Sequence, residues 1–183
     1  LMSDVLKSFI KELPKNDDFQ IVAKEIPLIK KLIETGFTGR KGKGGFYKMN
    51  KIGNKKVLEA INLKTGEYFP SKKINIKTEK VDLKKLINRE DKYGKYAWSV
   101  ISKIIKYASS LVPQITDKFN DIDEAMRLGF NWSKGPFEML NEIGVKNFFE
   151  KIDNYKNNKF LENLSKTKNE NFYGERQRYT DIE

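Results

Sequence analysis

Apolar residues along this 183-residue chain recur in several stretches at the i, i+3, i+4 spacing of an amphipathic helix. The longest stripe runs from Ala97 to Val112 through Ile101, Ile104, Ile105, Ala108 and Leu111, with Lys103 and Lys106 off it, and Pro113 ends it. Near the start, Val5, Leu6, Phe9, Ile10 and Leu13 predict a helix over 3–13, capped by Ser3 and stopped by Pro14. A polar loop follows, and Pro27 then opens a helix carrying Leu28, Ile29, Leu32 and Ile33 that Gly36 closes. Val145, Phe148, Phe149, Ile152 and Tyr155 predict a helix over 145–155, and Phe160, Leu161 and Leu164 a short one. Phe172-Tyr173-Gly174 closes the patterned region, and the last nine residues form a polar, frayed tail.

The period changes at 56–69. Val57, Leu58, Ala60, Ile61 and Leu63, the Lys64-Thr65-Gly66-Glu67 turn, and then Tyr68 and Phe69 predict a small β-hairpin. Pro70 and a Lys-rich stretch lead to a short helix around 81–88. Tyr93-Gly94-Lys95 reads as a break between modules.

Residues 121–144 carry two short helices, each with its own start and stop. Asp121 can cap the first, with Glu124 completing a capping box, and Gly129 ends it. Gly135 caps the second, Pro136 takes N1 and Gly144 closes it. The Phe130-Asn131-Trp132 connection places two large aromatics in a tight turn, where burial would be needed to make them worthwhile.

Composition then narrows the chemistry. With neither His nor Cys, the chain can form no Ser-His-Asp triad, Cys-His pair, disulfide or His-ligated metal site. Asp121, Asp123 and Glu124 could suggest a hard-cation site, but no Asp-x-Asp-x-Asp-Gly loop follows, and helix capping is the better reading. No apolar run approaches the roughly 18–20 residues that cross a bilayer, and no signal peptide is visible; a cytoplasmic place is the default.

The net charge of +11 raises nucleic acid as a partner. The cations are 31 Lys and five Arg, however, with the Lys scattered through every segment, and no Arg cluster interleaved with exposed aromatics is evident. The charge reads as wetted surface. A basic helical adaptor or nucleic-acid-binding module is kept as the alternative function.

Residues 36–47 place four glycines and three cations within Gly39–Gly45. As a dinucleotide fingerprint the run fails, because a helix precedes it and none opens from it; as a P-loop it lacks the closing Gly-Lys-Ser/Thr. Two readings stay open: a turn delivering Phe46 and Tyr47 into a core, or Arg40, Lys41 and Lys43 touching an anionic ligand such as a coenzyme A phosphate.

Ile122-Asp-Glu-Ala-Met126, Gly129-Phe130, Trp132 and Gly135-Pro136-Phe137-Glu138 closely resemble a signature of the C-terminal domain of 3-hydroxyacyl-CoA dehydrogenases of fatty-acid β-oxidation. Gly39-Arg40-Lys41 followed by Gly45-Phe46-Tyr47 resembles the ending of the same domain. A half-repeat agrees with both: 1–48 and 145–174 each run helix, Asn-rich loop, short helix, turn and an aromatic pair.

The resemblance implies a mainly α fold, a helical bundle of the 6-phosphogluconate-dehydrogenase C-terminal-domain type, to which the residues add one hairpin. It implies residues 1–48 as the tail of a first helical copy, 49–94 as a connector, 95–174 as most of a second copy and 175–183 as a polar tail. The family's Rossmann domain, with its NAD loop and catalytic His–Glu pair, has no counterpart here, so the chain alone is expected to bind no cofactor and to be inactive, with NAD implied for the full enzyme. Ser102 and Lys103 stand where the substrate-contacting helix of the family would carry Asn-Arg. No catalytic residue is transferred, and Gly129, Trp132, Gly135, Pro136 and Phe137 are assigned a structural role. The expected partners are acyl-CoA through the full-length enzyme, its Rossmann domain and, with room left for it, a second copy in a homodimer.

Overall fold

A computed structural model describes residues 2–73, 82–167 and 172–175. The chain divides into two compact units, Leu1–Lys77 and Thr78–Glu183. Helices dominate, with one small antiparallel sheet.

In the first unit, α1 (Met2–Glu12), α2 (Phe19–Val22) and α3 (Pro27–Glu34) precede three strands, β1 (Tyr47–Ile52), β2 (Lys55–Ile61) and β3 (Tyr68–Pro70). Ser3 lies inside α1 rather than ahead of it. The expected polar loop after Pro14 contains α2, which the Gln20 side-chain amide ties back by donating to the Ile10 and Leu13 carbonyls, both at 3.1 Å. These are end-of-helix acceptors that α1 leaves without N–H partners of its own. Phe19 closes the contact edge-on against Phe9, with centroids 5.7 Å apart.

The hairpin over 56–69 is present as β2–β3, its turn held by Asn62 Oδ1, which accepts from Lys64 N at 2.9 Å. The sheet has an additional strand, because β1 pairs with β2 across a Gly53-Asn54 turn. Its register puts Tyr47, Met49, Leu58, Ala60 and Phe69 on one face and Lys48, Asn50, Glu59 and Tyr68 on the other. The polar face is the covered one. Glu59, buried at 8% exposure, accepts from Asn50 Nδ2 at 3.0 Å and pairs with Lys48 at 3.4 Å. Phe46 and Tyr47 are exposed, so the expectation that the glycine turn delivers them into a core does not hold.

The second unit holds α4 (Leu83–Ile87), α5 (Lys92–Ser110), α6 (Phe119–Phe130), α7 (Pro136–Ile143), α8 (Val145–Phe149), α9 (Lys159–Lys166) and α10 (Phe172–Glu175). Its core is aromatic at the centre. Phe119, Phe137, Phe160 and Phe172 are all fully buried, and Phe119 lies 5.3–5.8 Å from the other three. Ile87, Ile105, Leu140, Ile143, Leu161 and Leu164 complete the packing. Burial of this apolar area is the main stabilising term of the unit.

Four readings are corrected here. Tyr93-Gly94-Lys95 is no break: Asp91 accepts from Tyr93 N and Gly94 N, both at 3.0 Å, and starts α5 five residues before the predicted point. A side chain at Gly94 would meet the Arg89 carbonyl, which explains the glycine inside a helix. Helix α6 begins before Asp121, and the left-handed stop is Asn131 at φ 56°, with Gly129 still helical. Phe130 is 70% exposed and only Trp132 is half-buried. The helix predicted over 145–155 ends at Phe149; Ile152 and Tyr155 reach the core from the following loop, where Asn154 takes φ 55°. Most of the predicted polar tail, residues 176–183, lies outside the described residues.

Candidate functional site

The signature segment builds a joint between α6 and α7. Pro136 has no N–H, and Phe137 N and Glu138 N are left without partners inside α7. Asp123, one turn into α6 and fully buried, supplies both: its Oδ1 accepts from Phe137 N at 2.8 Å and its Oδ2 from Glu138 N at 2.9 Å. One helix is thus capped by the carboxylate of another. Glu138 Oε2 accepts from Gly135 N at 2.8 Å and fills the reciprocal half of the cap.

The joint extends to the end of the described chain. The Tyr173 hydroxyl donates to the Asp123 carboxylate. Burial pushes Asp123 up from 3.8 to about 6, against the three donors, which favour its charged form. Burial, then the Asp123 charge, raises Tyr173 above its ordinary value. Arg127 pairs with the other oxygen of Glu138. Asp121, read as a cap and weighed as a ligand, instead accepts from Thr116 Oγ1 at 3.1 Å, while Glu124 is exposed. Among the described residues no group of three acidic side chains is placed to hold a metal ion.

Beside the joint runs a groove of about 600 Å³ lined by Leu83, Ile104, Trp132 and Met139 and by the ion-paired Lys134 and Glu142. Glu142 also accepts from Leu83 N at 3.2 Å, so it fixes the start of α4. Sequence reasoning missed this groove because its walls come from two separate stretches of chain, 83–104 and 132–142, whose apposition no local pattern shows. It missed the Tyr173–Asp123 bond for the same reason, although both residues lie in segments it singled out.

The glycine run folds as a turn in the first unit. Gly39 and Gly44 face each other, Gly39 N donating to Gly44 O at 2.7 Å. Lys43 Nζ donates to the Thr35 carbonyl at 3.2 Å, at the C-terminal end of α3, where a cation is favoured. Arg40 and Lys41 are exposed on the same turn. Of the other positions considered, Ser102 is half-buried and Lys103 exposed on α5. No helix among the described residues is long and apolar enough to cross a membrane.

Residues 94–175 match the family model for the 3-hydroxyacyl-CoA dehydrogenase C-terminal domain. The chain is 38% identical over 147 residues to the "Putative fatty acid oxidation complex trifunctional enzyme" of Rickettsia prowazekii (strain Madrid E), covering 80% of this chain and 20% of that protein. It is 34% identical over 130 residues to the "Probable 3-hydroxyacyl-CoA dehydrogenase" of Bacillus subtilis (strain 168), covering 67% of this chain and 16% of that one. The chain therefore spans a fifth or less of the length of these relatives. No solved structure matches it significantly.

Proposed function

Residues 94–175 belong to the family of 3-hydroxyacyl-CoA dehydrogenase C-terminal domains, and on that premise we propose that the chain is helical support within an NAD-dependent enzyme of fatty-acid β-oxidation. In this reading 95–174 is one helical repeat, 1–48 the tail of a preceding repeat and 49–94 the connector between them. The repeats wall the acyl-CoA cleft and pair with one another, while NAD and hydride transfer belong to the rest of the enzyme, in the cytoplasm. Arg40, Lys41 and Lys43 are the cations that would meet the phosphates of coenzyme A. No residue of this chain is given a catalytic role.

One observation supports a scaffold above all. Three carboxylates of the signature segment are committed within the fold: Asp123 to α7 and Tyr173, Glu138 to Gly135 and Arg127, and Glu142 to Leu83 and Lys134. A group already committed to two or three hydrogen bonds within the fold is costly to redirect toward a substrate.

The test is calorimetry with NADH and an acetoacetyl-CoA reduction assay on the 183-residue chain. Neither binding nor turnover is expected. Micromolar NADH binding would reverse the reading.

A further inference from the structure

Helix α5 shows solvent a face that its core packing does not use. Residues 93, 96, 100 and 103 fall on one side of a helix, since steps of three and four return near the same direction. Tyr93 is 59% exposed and Tyr96 73%, with Val100 and Lys103 exposed behind them. Lys84, Lys85, Arg89, Lys92 and Lys95 are exposed on α4, the link to α5 and the first turn of α5. From 84 to 103 six cations stand against two carboxylates, Glu90 and Asp91. Asp91 is already committed, capping α5 and pairing with Arg89. The Arg89 guanidinium and the Lys92 ammonium lie 5.7 and 5.1 Å from the centre of the Tyr93 ring.

The sequence reading sets nucleic acid aside partly because no exposed aromatics are seen among the cations. The folded chain answers the aromatic half of that objection, since Tyr93 and Tyr96 are both exposed beside Arg89 and Lys92 on the first two turns of a 19-residue helix. We propose that this face of α5, Tyr93 and Tyr96 with Lys92 and with Arg89 just ahead of the helix, binds single-stranded nucleic acid.

Two flat rings on a rigid helix give stacking platforms for unpaired bases, and the flanking cations meet the phosphates between them. Other occupants fit less well. A second copy of a chain carrying +11 would bring like charges together. An acidic protein surface would satisfy the cations and leave the two rings without a role. The proposal stands apart from the dehydrogenase reading, because it uses none of the Asp123 joint, the groove or the Gly39–Gly45 turn.

The test is fluorescence anisotropy of labelled twelve-nucleotide oligothymidine and oligouridine with the 183-residue chain at several salt concentrations. Saturable binding of either strand is expected, weakening with salt at a log–log slope of about −0.7 per phosphate neutralised. Tyr96→Ala should lower affinity by about tenfold, as loss of one stacked base does, and Tyr96→Phe should retain it. Tyr96→Leu keeps apolar bulk without a π-face and should lose affinity as Tyr96→Ala does, with circular dichroism unchanged in all three. Equal binding of polyglutamate, equal binding of a duplex, or a Tyr93→Ala/Tyr96→Ala double variant with undiminished affinity would each overturn the proposal.

Discussion

Asp123 and Gly135 approach so closely that a Cβ on Gly135 would fall 2.2 Å from the Asp123 carboxylate. Twelve residues apart in sequence, they are in van der Waals contact because α7 begins directly on the side chain that caps it. The missing side chain at 135 is what lets the carboxylate reach two N–H groups at once.

Gly135→Ala is therefore expected to destabilise the second unit by about 1–3 kcal/mol, the usual cost of overpacking a tight site. Pro136→Ala frees the unfolded chain at N1, worth about 0.4–1 kcal/mol, and also trims a buried ring. Urea titration of the two variants checks the order. Equal effects would mean that the close approach does not matter.

Tyr173→Phe removes one donor from Asp123 and leaves both backbone donors in place. A loss of about 1 kcal/mol is expected, the net worth of one buried hydrogen bond. Asp123→Ala should cost more, because it strips α7 of its cap and leaves Phe137 N buried and the half-buried Tyr173 hydroxyl without its acceptor. Thermal melts of both variants decide between a joint of three helices and a cap of one.

Acidity offers a separate check. The folded-state value for Asp123 is raised from 3.8 to about 6 by burial, so the folded chain holds a proton that the unfolded chain has released. This group's contribution is fully present below the unfolded value and is lost as pH rises through about 6. The melting temperature of the native chain, minus that of Asp123→Asn, should fall between pH 4 and pH 7. A difference that stays flat or rises would show that the donors outweigh burial.

Asn158 is buried at the head of α9, where its Oδ1 accepts from Leu161 N at 3.0 Å and its Nδ2 donates to the Lys106 carbonyl of α5 at 3.0 Å. Asn158→Ala should cost about 1–2 kcal/mol, since it removes a cap and also the bond that ties α9 to α5. Asn158→Asp keeps the cap but sets an acceptor-only oxygen against the Lys106 carbonyl, so it should cost at least as much as Asn158→Ala in a chemical-denaturation series.

The helices were legible because their apolar stripes face one dominant core: Ile105 and Ala108 on α5, and Phe160, Leu161 and Leu164 on α9, are buried as their spacing requires. Strand β1 was not legible because its inward residues are Lys48 and Asn50, whose burial depends on Glu59 in the next strand. Asp121 looked like a cap because the box rule is local, whereas the working carboxylate, Asp123, caps a different helix. Gly94 looked like a break for a related reason. The Asp91 cap and the close approach of the Arg89 carbonyl make it the residue that α5 needs there. Local periodicity reports which residues go inside; it is silent on which distant group will meet an unpaired N–H.

The small sheet also governs how the chain behaves in a test tube. It covers Lys48 and Glu59 and turns Tyr47, Met49, Leu58 and Phe69 outward, with β1 as an outer strand whose far side has no neighbour in the sheet among the described residues. Such edges invite strand-to-strand stacking between molecules, and lysine is a common guard against it. Here Lys51 and Lys56 sit directly opposite each other at the end of the outward face. Their guard is electrostatic, and its reach shrinks from about 10 Å at 0.1 M salt to about 3 Å at 1 M. Concentrated salt is therefore expected to weaken this guard and to turn the sheet from a solvated surface into a seed for precipitation.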